Sequence, residues 1–172
     1  MKRIFFVGAM GCVLLAGVPP AMCCDGESPE SVLECYSAAY AERDIGAIEA
    51  LYADDYMWVD VVPLRVHVWD RATAVESAKN IFEHPGTPSV SLTLDGPLEV
   101  VAEDAGETWR IEGVEMSLAI VFPGTAESDT AQGCATFYVR QVDGKPGAFE
   151  IYREVTFGDA GCARWRECLR LE

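Results

Sequence analysis

The sequence predicts an α+β domain in which helices pack on one face of a strongly bent, mostly antiparallel sheet. Three observations carry this expectation. Apolar residues recur every three or four positions in three stretches before about residue 83, interrupted by one β-branched and aromatic run, and from residue 88 onward they alternate every second position. A chain of 172 residues that is 50% hydrophobic also holds enough apolar material for one core, and is short for two.

Taken in order, the first element is an address. Lys2 and Arg3 precede an apolar stretch from Ile4 to Val18, which Pro19 and Pro20 break. A stretch this short fits a secretory signal peptide over residues 1–23 better than a membrane span, which needs about twenty apolar residues. Ala21 and Cys23 supply the small residues that cleavage requires. The mature chain would then begin at Cys24, with 11 basic against 28 acidic residues. The expected location is therefore periplasmic or extracellular, and a lipid anchor on a cysteine stays open as an alternative.

Residues 24–28 read as a polar linker, with the domain running from 29 to 158. Ser28, Glu30 and Ser31 can cap a first helix through Ala41, whose stripe is Val32, Leu33, Tyr36, Ala39 and Tyr40. Asp44 caps a second, short helix carrying Ile45, Ile48, Leu51 and Tyr52, and Asp54-Asp55 ends it. The β-branched and aromatic run Tyr56–Val62 is a strand closed by Pro63. Asp70 then caps a third helix over about 71–83, with Ala74, Ala78, Ile81 and Phe82 inward, and His84-Pro85-Gly86 stops it.

Strands follow near 88–94 and 98–103, turned by Asp95-Gly96-Pro97. A long strand spans 108–122, but its inward set changes parity between Ile111 and Val114, so a β-bulge is expected at Gly113. Residues 124–133 read as a polar loop. Two more strands cover 134–142 and 148–157, leaving a Cys-bearing tail over 159–172 in which Trp165 and Leu169 suggest a short helix.

Composition narrows the function classes. A formal net charge of -15, with no Lys or Arg run past the first residues, excludes a phosphate-backbone partner, so no nucleic acid is expected. There is no G-x-S-x-G, no P-loop and no dinucleotide fingerprint. With no C-x-x-C pair and only His67 and His84 as imidazoles, neither a metal site nor a cofactor is expected. Export makes disulfides the default for Cys35, Cys134, Cys162 and Cys168, with three pairings open.

The run from Asp44 to Tyr56, the later Trp69-Asp70-Arg71 opening a helix, and the closing strand resemble the nuclear transport factor 2-like superfamily, which includes the polyketide cyclase-like proteins and ketosteroid isomerases. The resemblance implies a cystatin-like cone with a pocket between helices and sheet, and a homodimer. It covers about residues 29–158. An ungapped match to the isomerases puts Tyr36 at their oxyanion-donor position and Asp60 at that of their proton-transfer base. A buried Asp beside a phenol can move a proton at carbon. Phe137 stands where the isomerases place a second oxyanion donor, a protonated Asp, so half of that oxyanion hole is missing.

Alternation places Asp60 on one strand face with Trp58 and Val62, and Arg153 on one face with Phe149, Ile151, Val155 and Phe157. Arg153 is thus expected inward, either paired with Asp60 or clamping a carboxylate-bearing ligand. His67 and Trp69 fall at the expected mouth, and Tyr138 and Glu115 complete the pocket candidates. Three functions follow from this reading. The leading one is an exported domain binding a small apolar or carboxylate-bearing molecule without catalysis. The others are a cofactor-free isomerase or lyase using Asp60 and Tyr36, and a homodimeric interaction module.

Overall fold

The computed structural model describes residues 28–62, 65–83, 89–104, 107–121 and 128–158. The expected signal segment, residues 24–27 of the expected linker and the tail with its expected helix lie outside the described residues.

Helix α1 (Ser31–Glu42) buries Val32, Leu33, Cys35, Tyr36 and Ala39. Its start is held by a turn rather than by a side-chain cap. The Ser31 hydroxyl donates to the Ser28 carbonyl at 2.7 Å, and the N-cap residue Glu30 makes no capping hydrogen bond. Helix α2 (Ile45–Leu51) and helix α3 (Arg71–Phe82) begin as expected. Asp44 accepts from the Ala47 backbone N–H at 2.9 Å, and Asp70 accepts from the Thr73 N–H at 2.9 Å and the Thr73 hydroxyl at 2.7 Å. The Arg43 guanidinium donates to the carbonyl of Phe82, locking the end of α1 to the end of α3.

Strand β1 (Tyr52–Val62) starts four residues earlier than the aromatic run suggests. It forms an antiparallel pair with β2 (Arg65–Asp70), a strand absent from the sequence reading, in which Trp58 faces Trp69 and Asp60 faces His67. Val66 and Val68 give β2 its period of two. Strands β3 (Ser89–Asp95), β4 (Glu99–Glu103) and β5 (Thr108–Val121) follow the expected bounds closely. Strand β6 (Ser128–Gln141) extends into the segment read as a loop, because β5 supplies backbone partners along its whole length, down to Val121 opposite Ser128. With β7 (Phe149–Gly158) the sheet order is β2-β1-β7-β6-β5-β3, and β4 pairs with β5 off that path. Only the β1–β7 pairing is parallel among these ladders.

The described ladders hold three register shifts; one lies in β1 between Tyr52 and Met57, and the bulges in β5 and β7 decide which side chains of the later strands reach the interior. The expected one sits between Ile111 and Val114, where Gly113 has φ +75° and any Cβ would collide with the Pro97 carbonyl oxygen. Gly113→Ala is therefore expected to cost about 2 kcal/mol, read as a lower urea midpoint at unchanged slope. A loss within about 0.5 kcal/mol would mean that the bulge does not need glycine. The second bulge was not expected. Val139 pairs with Ile151 but Tyr138 pairs with Arg153, so Tyr152 is an extra residue in β7. Inward parity thus passes from Ile151 to Glu154 and Thr156. The core beneath the helices is closed by Val32, Ile48, Tyr56, Ile111, Phe137 and Ile151, all at most 1% exposed.

Candidate functional site

Helices and the bent sheet enclose a cavity of about 280 Å³. Its apolar side is made by Leu92, Met116 and Leu118 from the sheet and by Ala74 and Ile81 from α3. Leu92 on β3 and Leu118 on β5 are register partners, so two strands present them together on the concave face.

One end of the cavity holds a buried carboxyl. Glu154 on β7 is 2% exposed and accepts from the Tyr56 hydroxyl at 3.0 Å and from the Tyr36 hydroxyl at 3.4 Å. The Tyr36 hydroxyl also lies 2.8 Å from that of Tyr52. With Tyr36 donating to Glu154, Tyr52 must donate to Tyr36, so two phenols reach the carboxyl and the third supports one of them. Burial pushes Glu154 up from 4.5 to about 7, against the two tyrosine hydrogen bonds that favour its charged form. Burial first, and the neighbouring Glu154 charge among the further causes, hold Tyr36, Tyr52 and Tyr56 well above the ordinary phenol range. Tyr40, edge-on to Tyr36, is pushed up to about 12 by burial. Tyr52 and Tyr56 stack with ring centroids 3.9 Å apart.

A second polar group lines the wall. The indole N–H of Trp58 donates to the Thr156 hydroxyl at 2.9 Å, and Thr156 donates to Asp60 Oδ1 at 3.0 Å. An indole nitrogen can only donate, so Thr156 accepts from it and spends its own hydrogen on Asp60. This relay fixes the carboxylate of Asp60, a residue of the cavity lining.

The structure therefore brings Tyr36, Trp58 and Asp60 to one cavity, together with Glu154 and Thr156, which the sequence reading missed. Arg153 goes elsewhere. The extra residue at Tyr152 turns it to the opposite face, where its guanidinium lies 5.3 Å from the Tyr138 ring centroid, so it neither pairs with Asp60 nor reaches into the cavity. Tyr138, its register partner, shares that face and is also corrected out of the pocket. Glu115 is exposed and is not a lining residue, although its register partner Cys134 on β6 is one. Trp69 and His67 sit on β2 beside the cavity. Trp69 packs edge-on against Trp58 at 4.2 Å, and His67 is exposed. Phe137 is a core residue 5.8 Å from the Tyr36 ring. Cys35 and Cys134 are buried on α1 and β6, while Cys162 and Cys168 lie outside the described residues.

The missed residues had unequal signals. Tyr52 and Tyr56 bracket the Asp54-Asp55 pair and could have been suspected from their spacing of four. Nothing in Phe149–Phe157 marks a bulge, because the alternation reads cleanly through Tyr152.

No family model matches the chain, and no curated protein is similar to it in sequence. Solved structures are. A nuclear transport factor 2-like protein of unknown function in nutrient uptake from Rhodospirillum rubrum is 23% identical, with a TM-score of 0.57 over 76% of this chain and 98% of that one. An uncharacterised protein with a cystatin-like fold from Caulobacter vibrioides is 15% identical, with a TM-score of 0.58 over 82% and 94%. A nuclear transport factor 2-like superfamily protein from Salmonella enterica is 12% identical, with a TM-score of 0.57 over 74% and 85%. Element order, curved sheet and these likenesses agree: the chain has the nuclear transport factor 2-like fold.

Proposed function

We propose that this chain is an exported small-molecule-binding domain that holds its ligand in the cavity between helices and sheet without turning it over. The carrying observation is the cavity of about 280 Å³ with one apolar side and two organised polar groups, Glu154 and Asp60. Small-ligand sites have this mixture of apolar wall and few fixed polar contacts, and their volumes start at about 300 Å³. The amino-terminal basic tip and apolar stretch support export. A cofactor-free isomerase or lyase has less support. Asp60 and Tyr36 do share the cavity, but the Tyr36 hydroxyl is already engaged by Glu154 and Tyr52.

The neutral dye N-phenylnaphthylamine tests the reading. Saturable fluorescence enhancement with one site per chain is expected, and Ala131→Trp, at an exposed position on the cavity lining, should abolish it. Absence of saturable binding, or equal binding by the Trp variant, would reject the pocket as a ligand site.

A further inference from the structure

We propose that the cavity selects a small molecule carrying a primary ammonium group on an apolar body, with the ammonium on the Asp60 carboxylate and the body against Leu92, Met116 and Leu118. The inference deepens the binding reading above and rests on it.

The charge balance of the lining points this way. Among the described residues the cavity presents two carboxylic side chains, Asp60 and Glu154, and no Lys, Arg or His. The cation that would have received a carboxylate-bearing ligand, Arg153, lies over Tyr138 on the other face of the sheet. An anion entering the cavity would meet the Asp60 carboxylate with no cation in the described lining to offset its lost hydration, which is selection by repulsion.

Hydrogen-bond capacity points the same way. An ionised carboxylate only accepts. Thr156 supplies one donor to Oδ1, and Trp58 holds Thr156 in place, so the carboxylate is oriented before a ligand arrives. Asp60 is half-buried, so its remaining acceptor capacity is open to water or to a ligand donor, and an ammonium is a strong one because the bond is charge-assisted. Aromatic rings around the cavity, Trp58 and Tyr40 among them, tolerate a cation on their faces where an anion is repelled. The net charge of -15 further concentrates cations around the chain.

Three probes of matched shape test this with the full chain: phenethylamine, phenethyl alcohol and phenylacetate, each displacing the neutral dye near neutral pH. Phenethylamine is expected to bind about tenfold more tightly than the alcohol, as one charge-assisted hydrogen bond warrants, with phenylacetate weakest. In Asp60→Asn the amine-to-alcohol preference should fall to about threefold or less. A melting curve confirms that the variant is folded, and the wild-type ranking stands without it. An alcohol or phenylacetate that binds as tightly as the amine overturns the selectivity while leaving the pocket a binding site. Dye binding that none of the three probes displaces also overturns it. Failure of the dye itself to bind removes the underlying reading instead.

Discussion

Raising the pH from about 5 to about 8 should cost the folded chain about 3 kcal/mol through Glu154, and Glu154→Gln should remove that loss. In the folded chain burial lifts this carboxyl from 4.5 to about 7, so it keeps its proton at a pH where the unfolded chain has released its own. The folded state then binds more protons than the unfolded state, and stability falls as pH rises. The contribution is unaffected below about 4.5 and levels off above about 7. Glutamine keeps the shape and an acceptor for the Tyr36 and Tyr56 hydroxyls but cannot ionise. Denaturant midpoints of the wild type and the variant at the two pH values measure the difference. Asp55 works with the opposite sign, since hydrogen bonds from Arg140 hold its carboxyl low. Its contribution is lost only as pH falls into the lower carboxylate range, outside this window. Parallel pH slopes in both proteins would reject Glu154 as the source.

Phe137→Ala is expected to cost about 4 kcal/mol, the loss typical of emptying a fully buried aromatic site. Phe137 has no exposed surface, meets the Tyr36 ring edge-on at 5.8 Å, and is the register partner of Glu154. Removing the ring deletes apolar contacts and opens space beside the carboxyl. Water entering that space would restore part of the lost hydration, so the variant should also show a shallower pH slope than the wild type. A denaturant series at both pH values reads both effects. A loss below about 1 kcal/mol would show that the surrounding structure closes over the gap.

These two residues illustrate what a single chain reveals by itself. Local chemistry was legible. Asp44 and Asp70 announce helix starts because a short acceptor side chain can satisfy the first backbone donors, and both do so. The bulge at Gly113 was legible because a parity slip coincides with a residue that tolerates positive φ. The bulge at Tyr152 was not, since an aromatic residue fits an uninterrupted strand pattern equally well. That one extra residue moved Arg153 out of the cavity and brought Glu154 and Thr156 in. Phe137 explains the other gap. Its place beside Tyr36 depends on a strand pairing made across much of the chain, and no local spacing encodes it. Strand β2 escaped notice for a different reason. Its two valines are exposed on the sheet surface, 61% for Val66 and 58% for Val68, so its alternation lacks the buried face that usually marks a strand.

The parallel junction of β1 with β7 also bears on the order of assembly. Trp58 pairs with Glu154 and Asp60 with Thr156, so β1 is bonded along one edge to the last described strand. A chain emerging from the ribosome with its amino terminus first can form α1, α2 and the β1–β2 hairpin early, but that edge of β1 then waits for nearly the whole domain. Contacts so distant along the chain carry a large loop-closure cost and slow folding. Until β7 arrives, the Glu154 carboxyl has no tyrosine cluster to enter and the cavity has no closed end. The pocket is thus completed last, when the two ends of the domain meet.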